Sequence, residues 1–226
     1  MRKIIIDTDP GQDDALALMT AFGAKHEIQV LGITCVAGNV SLNLTSNNAL
    51  KICELSGVFH VPVFKGSDSP LRRKLITAEH VHGKTGLDGT ELSVERMKLE
   101  LLGAVDFMID SAEKYKDEKI TICALGPLTN IAKVLIKNPK ITESIEEIVL
   151  MGGGFFEGGN ITPAAEFNIY VDPDAAKIVL ESGVKITILP LDVTHKTLVQ
   201  RNFLEKLRNS GKNSAIQAAK LLDFFE

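Results

Sequence analysis

Long apolar runs rich in β-branched residues recur along this chain. They are Lys3–Thr8 (KIIIDT), Ile28–Val36 (IQVLGITCV), 119–125 (KITICAL), 146–154 (EEIVLMGGG) and 184–190 (VKITILP), with a shorter run at Val61–Phe64. A strand with one wet face alternates polar and apolar residues. Most of these runs do not alternate, so the strands they form must be covered on both faces. Helical patterning fills the intervals. Residues 13–23 put Ala15, Leu18, Met19 and Phe22 on one side, and 41–55 begins at Ser41, a suitable N-cap. Residues 92–116 read as one long helix, followed by helices at 128–137, 172–182 (closed by Gly183), 200–209 and 213–224. Strands separated by helices, with no linker or repeat, predict a single-domain α/β fold with a mostly parallel central sheet flanked by helices. A chain of 226 residues can bury a substantial core.

Such sheets bind ligands beyond the carboxyl ends of their strands. The polar residues of this chain collect there. Asp7 and Asp9 close the first run, Asn39 follows the second, and Leu125-Gly126 ends KITICAL. Asn160, Glu166 and Asn168 follow IVLMGGG, Asp192 follows ITILP, and His82 lies in the Gly-rich stretch 66–90.

The first of these ends is the densest. In DTDPGQDDALA (residues 7–17), four carboxylates fall within eight residues. Asp7 and Asp9 are two apart on a strand and face one side. Asp13 and Asp14 enter the first turn of a helix, where the dipole favours negative charge. That accounts for one or two acids, not four, because carboxylates crowded beside a core raise one another's pKa. A divalent cation removes the repulsion, and an all-oxygen donor set suits Ca²⁺ or Mg²⁺ rather than zinc.

Net charge is −4, with 25 Lys+Arg against 29 Asp+Glu and no basic stripe, so nucleic acid is not the expected partner. Cys35, Cys53 and Cys123 are scattered through apolar runs and read as buried reduced thiols. No secretory signal and no apolar stretch of about 20 residues is present, so the expectation is a cytoplasmic protein with no membrane partner.

DTDPGQDDALA resembles the N-terminal signature of the inosine–uridine preferring nucleoside hydrolases. The resemblance continues through GNVSLNLTSNNAL (38–50), VHGKTGLDG (81–89), ALGPLTNIA (124–132), IVLMGGG (148–154), AAEFNIYVDPDAA (164–176) and PLDVTHK (190–196). It implies calcium-dependent hydrolysis of the N-glycosidic bond of ribonucleosides. By resemblance, Asp9, Asp14 and the Leu125 backbone carbonyl are calcium ligands, Asp7 supports them, and Asp9 also takes the proton of the attacking water. Asp13, Asn39 and Asn168 would hold ribose hydroxyls, and Asn160 and Glu166 the 5′ side. Met151 and Phe167 would border sugar and base, with His82 near the leaving base. A homodimer or homotetramer is implied as well, together with a further C-terminal segment that carries a second His–Asp pair and that this sequence does not contain. Two other readings exist. One is a non-catalytic nucleoside- or ribose-binding remnant with a weakened metal site. The other is a Mg²⁺ phosphohydrolase of the haloacid-dehalogenase type, which also places DxD after its first strand but has no use for the EFN segment.

Overall fold

A computed structural model describes residues 1–225. Its strands are β1 (Arg2–Thr8), β2 (Ile28–Cys35), β3 (Val63–Lys65), β4 (Ile120–Ala124), β5 (Ile145–Met151) and β6 (Ile186–Leu189). They form one sheet in the order β3-β2-β1-β4-β5-β6, and every neighbouring pair is parallel. The helices are α1 (Gln12–Gly23), α2 (Leu42–Leu55), α3 (Glu79–His82), α4 (Ala104–Lys114), α5 (Thr129–Lys137), α6 (Phe167–Val171), α7 (Pro173–Leu180), α8 (Leu191–Thr194), α9 (Arg201–Arg208) and α10 (Asn213–Phe225). A 3₁₀ turn, Pro139–Ser144, precedes β5. This is the expected parallel α/β architecture. None of the described helices is long and apolar enough to cross a membrane.

Alternation along β1 builds two cores. Ile4 and Ile6 pack with Leu18 of α1 and Ile52 of α2 on one face. Ile5 packs with Ile122, Ile131 of α5 and Val179 of α7 on the other. Both layers are dry, which is why the strands lack polar alternation.

Strand order reverses direction at β1. The chain runs outward to β2 and β3, then returns to place β4 on the other side of β1. The connections leaving β1 and β4 diverge at this point, and their diverging loops open a crevice at the carboxyl ends of both strands.

The expected long helix over 92–116 is corrected by the structure. Helix α4 starts only at Ala104, with Gly103 as its N-cap, and residues 92–103 have no regular helix. Leu92, Val94, Met97 and Leu99 pack instead against the β1–α1–α2 core. The Glu54 carboxylate at the end of α2 accepts from the backbone N–H groups of Glu95, Arg96 and Met97 at 3.1, 2.7 and 2.6 Å. Tertiary contacts and one side-chain acceptor outweigh helix propensity here.

Candidate active site

Asp9 lies just beyond β1 at the crevice and is fully buried. Its Oδ2 accepts from the Asn39 backbone N–H at 2.8 Å. Its Oδ1 is buried and has no hydrogen-bond partner among the described residues. Two glycines make room for this carboxylate. A Cβ at Gly38 would stand 2.1 Å from Asp9 Oδ2, and a Cβ at Gly126 would stand 2.2 Å from Asp9 Oδ1. The orphaned oxygen therefore faces the turn after β4 at Gly126.

Asp14 is the N3 residue of α1 and reaches back to the helix start. Its Oδ2 accepts from Gly11 N–H at 3.1 Å and from Asn39 Nδ2 at 3.3 Å, and its Oδ1 accepts from the Thr8 hydroxyl. Asn39 Nδ2 also donates to the Asp9 carbonyl at 3.0 Å, so one amide group holds both acids in place. Asp7 Oδ1 accepts from Thr34 Oγ1 at 2.6 Å and from Asn130 Nδ2 at 2.8 Å, and Asp7 Oδ2 is a second buried orphan.

Burial pushes Asp7 up to about 7, against hydrogen bonds from Asn130 and Thr34 that pull it down. Burial and then the Asp13 charge push Asp14 up to about 7. Burial, then the charge of Asp14, pushes Asp9 well above the carboxylate range. These shifts mark a place that charged carboxylates occupy at a cost unless positive charge joins them.

Among the described residues, no group of three His, Cys, Asp or Glu side chains stands in metal-binding array. The arrangement that fits a cation is mixed: Asp9, Asp14 and a backbone carbonyl. In this structure the Leu125 carbonyl accepts from Asn168 Nδ2 at 2.8 Å, and the same amide approaches the Met151 carbonyl at 3.3 Å. Asn39 Oδ1 and Asn168 Oδ1 accept no hydrogen bond among the described residues, so each amide pins backbone or carboxylate with its nitrogen and keeps its oxygen open.

Glu166 is the N-cap of α6. Its Oε1 accepts from Asn168 N–H at 3.0 Å, and its Oε2 accepts from Ile169 N–H at 3.2 Å and Gly153 N–H at 3.0 Å. Burial raises its pKa against these backbone donors. Asn160 is exposed, and its Oδ1 accepts from Phe167 N–H at 2.9 Å. Phe167 and Asn168 are buried, Met151 half-buried and Asp13 exposed. The structure thus gathers Asp7, Asp9, Asp14, Asn39, Leu125, Met151 and Asn168 tightly, with Glu166 and Phe167 adjoining on α6.

His82 ends α3 and is buried, and the loop after it is fastened rather than loose. Gln12 Nε2 donates to the His82 carbonyl at 3.0 Å and to the Asp88 carbonyl at 3.3 Å, and Asn48 Nδ2 donates to Pro10 O at 3.1 Å and Thr85 O at 2.7 Å. Sequence reading did not find Gln12, Asn48, Asn130, Thr34 or Thr8. No spacing rule marks them; only their contacts across the fold do. Asp192 serves the backbone instead: its carboxylate accepts from Phe155, Phe156 and Glu157 N–H at 2.8, 2.9 and 3.3 Å.

The clearance around Asp9 gives a sharp test. Gly38→Ala is expected to displace the Asp9 carboxylate and cost about 1–3 kcal/mol of stability, measured by thermal unfolding. Gly23→Ala, where a new Cβ meets nothing within 4 Å, is the matched control and should change neither.

The chain is similar to known proteins along nearly its whole length. A pyrimidine-specific ribonucleoside hydrolase RihA from Photobacterium profundum is 46% identical over 224 residues, covering 99% of this chain and 71% of the relative. An uncharacterized Schizosaccharomyces pombe protein is 53% identical over 194 residues, covering 86% of this chain. The chain spans 62% of that relative's length. Among solved structures, a purine-preferring ribonucleoside hydrolase from Gardnerella vaginalis superposes with a TM-score of 0.94 at 38% identity, over 99% of this chain and 72% of its own. Residues 4–226 match the family model described as inosine-uridine preferring nucleoside hydrolase, and the chain belongs to that family.

Proposed function

We propose that this chain hydrolyses the N-glycosidic bond of ribonucleosides, giving ribose and the free base, with calcium held by Asp9, Asp14 and the Leu125 carbonyl. The observation that carries the reading is the fully buried Asp9 with its orphaned Oδ1, set against a second buried carboxylate at the switch point of the sheet. A buried oxygen without a partner is costly and asks for a ligand. Two carboxylates and a carbonyl form an all-oxygen set that fits a hard divalent ion. When bound, such an ion supplies an acidified water and an anchor for vicinal hydroxyls.

The chain's own groups supply the rest. Asp9 Oδ1 takes a proton from the attacking water. Asn39 Oδ1 and Asn168 Oδ1 accept from ribose hydroxyls, and exposed Asp13 adds a carboxylate acceptor at the mouth. Glu166 and Asn160 order the α6 start around the 5′ side, and Met151 and Phe167 wall the sugar and base. Asp7 holds Asn130 and Thr34 beneath the cluster. Clustered negative charge stabilises the oxocarbenium-like ring that glycosidic cleavage passes through. Uridine and cytidine are the proposed substrates, with inosine in a mixed range. Named relatives include pyrimidine-specific hydrolases, and the chain has no Trp and two Tyr with which to stack a purine. A cytoplasmic location and a homodimeric or homotetrameric assembly belong to this proposal by resemblance.

The test is release of reducing sugar from uridine, cytidine and inosine, with chelator and after calcium is restored. Chelation should stop release and calcium should restart it. Nucleoside binding without release would favour the remnant reading. Amide oxygens placed for hydroxyls are left unpaired by a deoxy sugar, so 2′-deoxyuridine should react at least about a hundredfold more slowly in kcat/KM. Equal turnover of the two sugars would remove the roles assigned to Asn39 and Asn168.

A further inference from the structure

Gln12 is fully buried on the first turn of α1 and meets His82 twice. Its Nε2 donates to the His82 carbonyl at 3.0 Å and to the Asp88 carbonyl at 3.3 Å. Two carbonyl neighbours can only be served by the amide NH₂, so they fix which end of the Gln12 amide is nitrogen. The other end, Oε1, lies 2.7 Å from His82 Nδ1. An amide oxygen only accepts, and therefore Nδ1 must carry the hydrogen.

The opposite ring nitrogen has no such partner. His82 Nε2 makes no hydrogen bond among the described residues. The ring packs beside Gly11, where a Cβ would stand 2.5 Å from Nδ1, and against Phe225 at a centroid distance of 5.6 Å. Neither neighbour offers Nε2 a polar group. We propose that Gln12 locks His82 in the Nδ1–H tautomer, so that Nε2 is the ring atom that exchanges a proton or hydrogen bond with a bound nucleoside.

This lock holds in both charge states, since the imidazolium also carries Nδ1–H. The proton that comes and goes is then always the one on Nε2. Burial lowers the pKa of His82, Asp13 pulls it up and His80 pulls it down; the balance is downward. The resting ring is neutral near pH 7 and offers a lone pair. It accepts from an N–H or O–H of the ligand, and it donates only after first taking up a proton at Nε2. Gln12 is thus a positioning residue that decides which face of a single imidazole is chemically open. The tautomer stands independently of the hydrolase reading, but the use of Nε2 on a nucleoside rests on it.

Long-range ¹H–¹⁵N correlation spectra of the ¹⁵N-histidine-labelled chain read the tautomer directly, with His82→Asn identifying the signal. In the unsubstituted chain, at a pH where the ring is neutral, His82 should show a protonated Nδ1 and a bare Nε2. Exposed His26, His60 and His80 should show the opposite form that a free side chain prefers in water. Gln12→Glu keeps an acceptor for Nδ1–H and should keep the signature. Gln12→Met removes the acceptor and should return His82 to the free-histidine pattern, with at least a tenfold loss of kcat on uridine and a smaller change in KM. A protonated Nε2 with a bare Nδ1 in the unsubstituted chain overturns the proposal, even where Gln12→Met does not fold. So does an unchanged His82 spectrum in folded Gln12→Met. A locked tautomer in a chain that releases no sugar from any nucleoside upholds the Gln12 assignment and overturns the hydrolase reading alone.

Discussion

Asp9→Asn is expected to abolish nucleoside hydrolysis, by about a thousandfold or more in kcat, while making the calcium-free chain more stable. The two effects have one origin. Asp9 is fully buried and repelled by Asp14, and its Oδ1 has no partner among the described residues. An asparagine fits the same space between Gly38 and Gly126. Its oxygen can accept from the Asn39 N–H, and its NH₂ then replaces the orphaned oxygen and faces the turn after β4 at Gly126. The substitution removes one buried charge and adds a donor, which should contribute about 1–3 kcal/mol, or about 2–12 °C in Tm for a domain of this size. The same change removes the group proposed as proton acceptor and metal ligand, so activity and any calcium-induced rise in Tm are expected to disappear together. Thermal unfolding in chelator and in calcium, beside a reducing-sugar assay, measures both. A variant that loses activity but also loses stability in chelator would make Asp9 an ordinary structural acid, and the cation reading would fail.

Legibility in the sequence followed the range of the forces involved. Helix α1 and strand β1 are specified by nearest neighbours: an apolar run, a Pro-Gly turn, then acids in a helical first turn. Their expected limits lie within a residue of the observed ones. The α4 region failed because its pattern is ambiguous locally. Leu92, Val94, Met97 and Leu99 can be read onto a helix face, and only Glu54, more than forty residues from the N–H groups of Glu95, Arg96 and Met97, decides that those groups bond a carboxylate instead. The site divides the same way. Asp7, Asp9 and Asp14 announce themselves because like charge packed at a strand end is a local anomaly. Asn130 and Gln12 do not, because each is a single neutral amide whose meaning comes from a partner more than sixty residues away in sequence: Asp7 for Asn130, His82 for Gln12. Apart from the family resemblance, His82 stood out only as a histidine among glycines. That spacing suggests mobility, and hydrogen bonds from Gln12 and Asn48 fasten the segment instead.

The pH dependence of stability separates a cation site from a merely acidic one. Asp7 and Asp14 sit near 7 in the folded chain, against an ordinary carboxylate value of 3.8, and Asp9 is shifted in the same direction. A carboxylate raised on folding binds more protons folded than unfolded. Its contribution is therefore favourable at low pH and is lost as pH rises through the folded value. Ordinary surface acids finish titrating well below this range. His82, lowered by burial, acts in the opposite sense but below its unfolded value of 6.5, so the interval from about pH 6.5 to 8.5 isolates the cluster. Each of the two acids should contribute about 1 kcal/mol of lost stability across that interval, or about 4–8 °C in Tm for the pair, when chelator is present. On the proposed calcium reading the ion binds the deprotonated cluster, so its affinity should rise over the same interval by the reciprocal linkage. In excess calcium the fall in Tm should flatten or reverse, and in Asp9→Asn it should be shallower in chelator and unaffected by calcium. Parallel Tm curves for the unsubstituted chain with and without calcium would show that the aspartates are tolerated as buried acids and hold no ion.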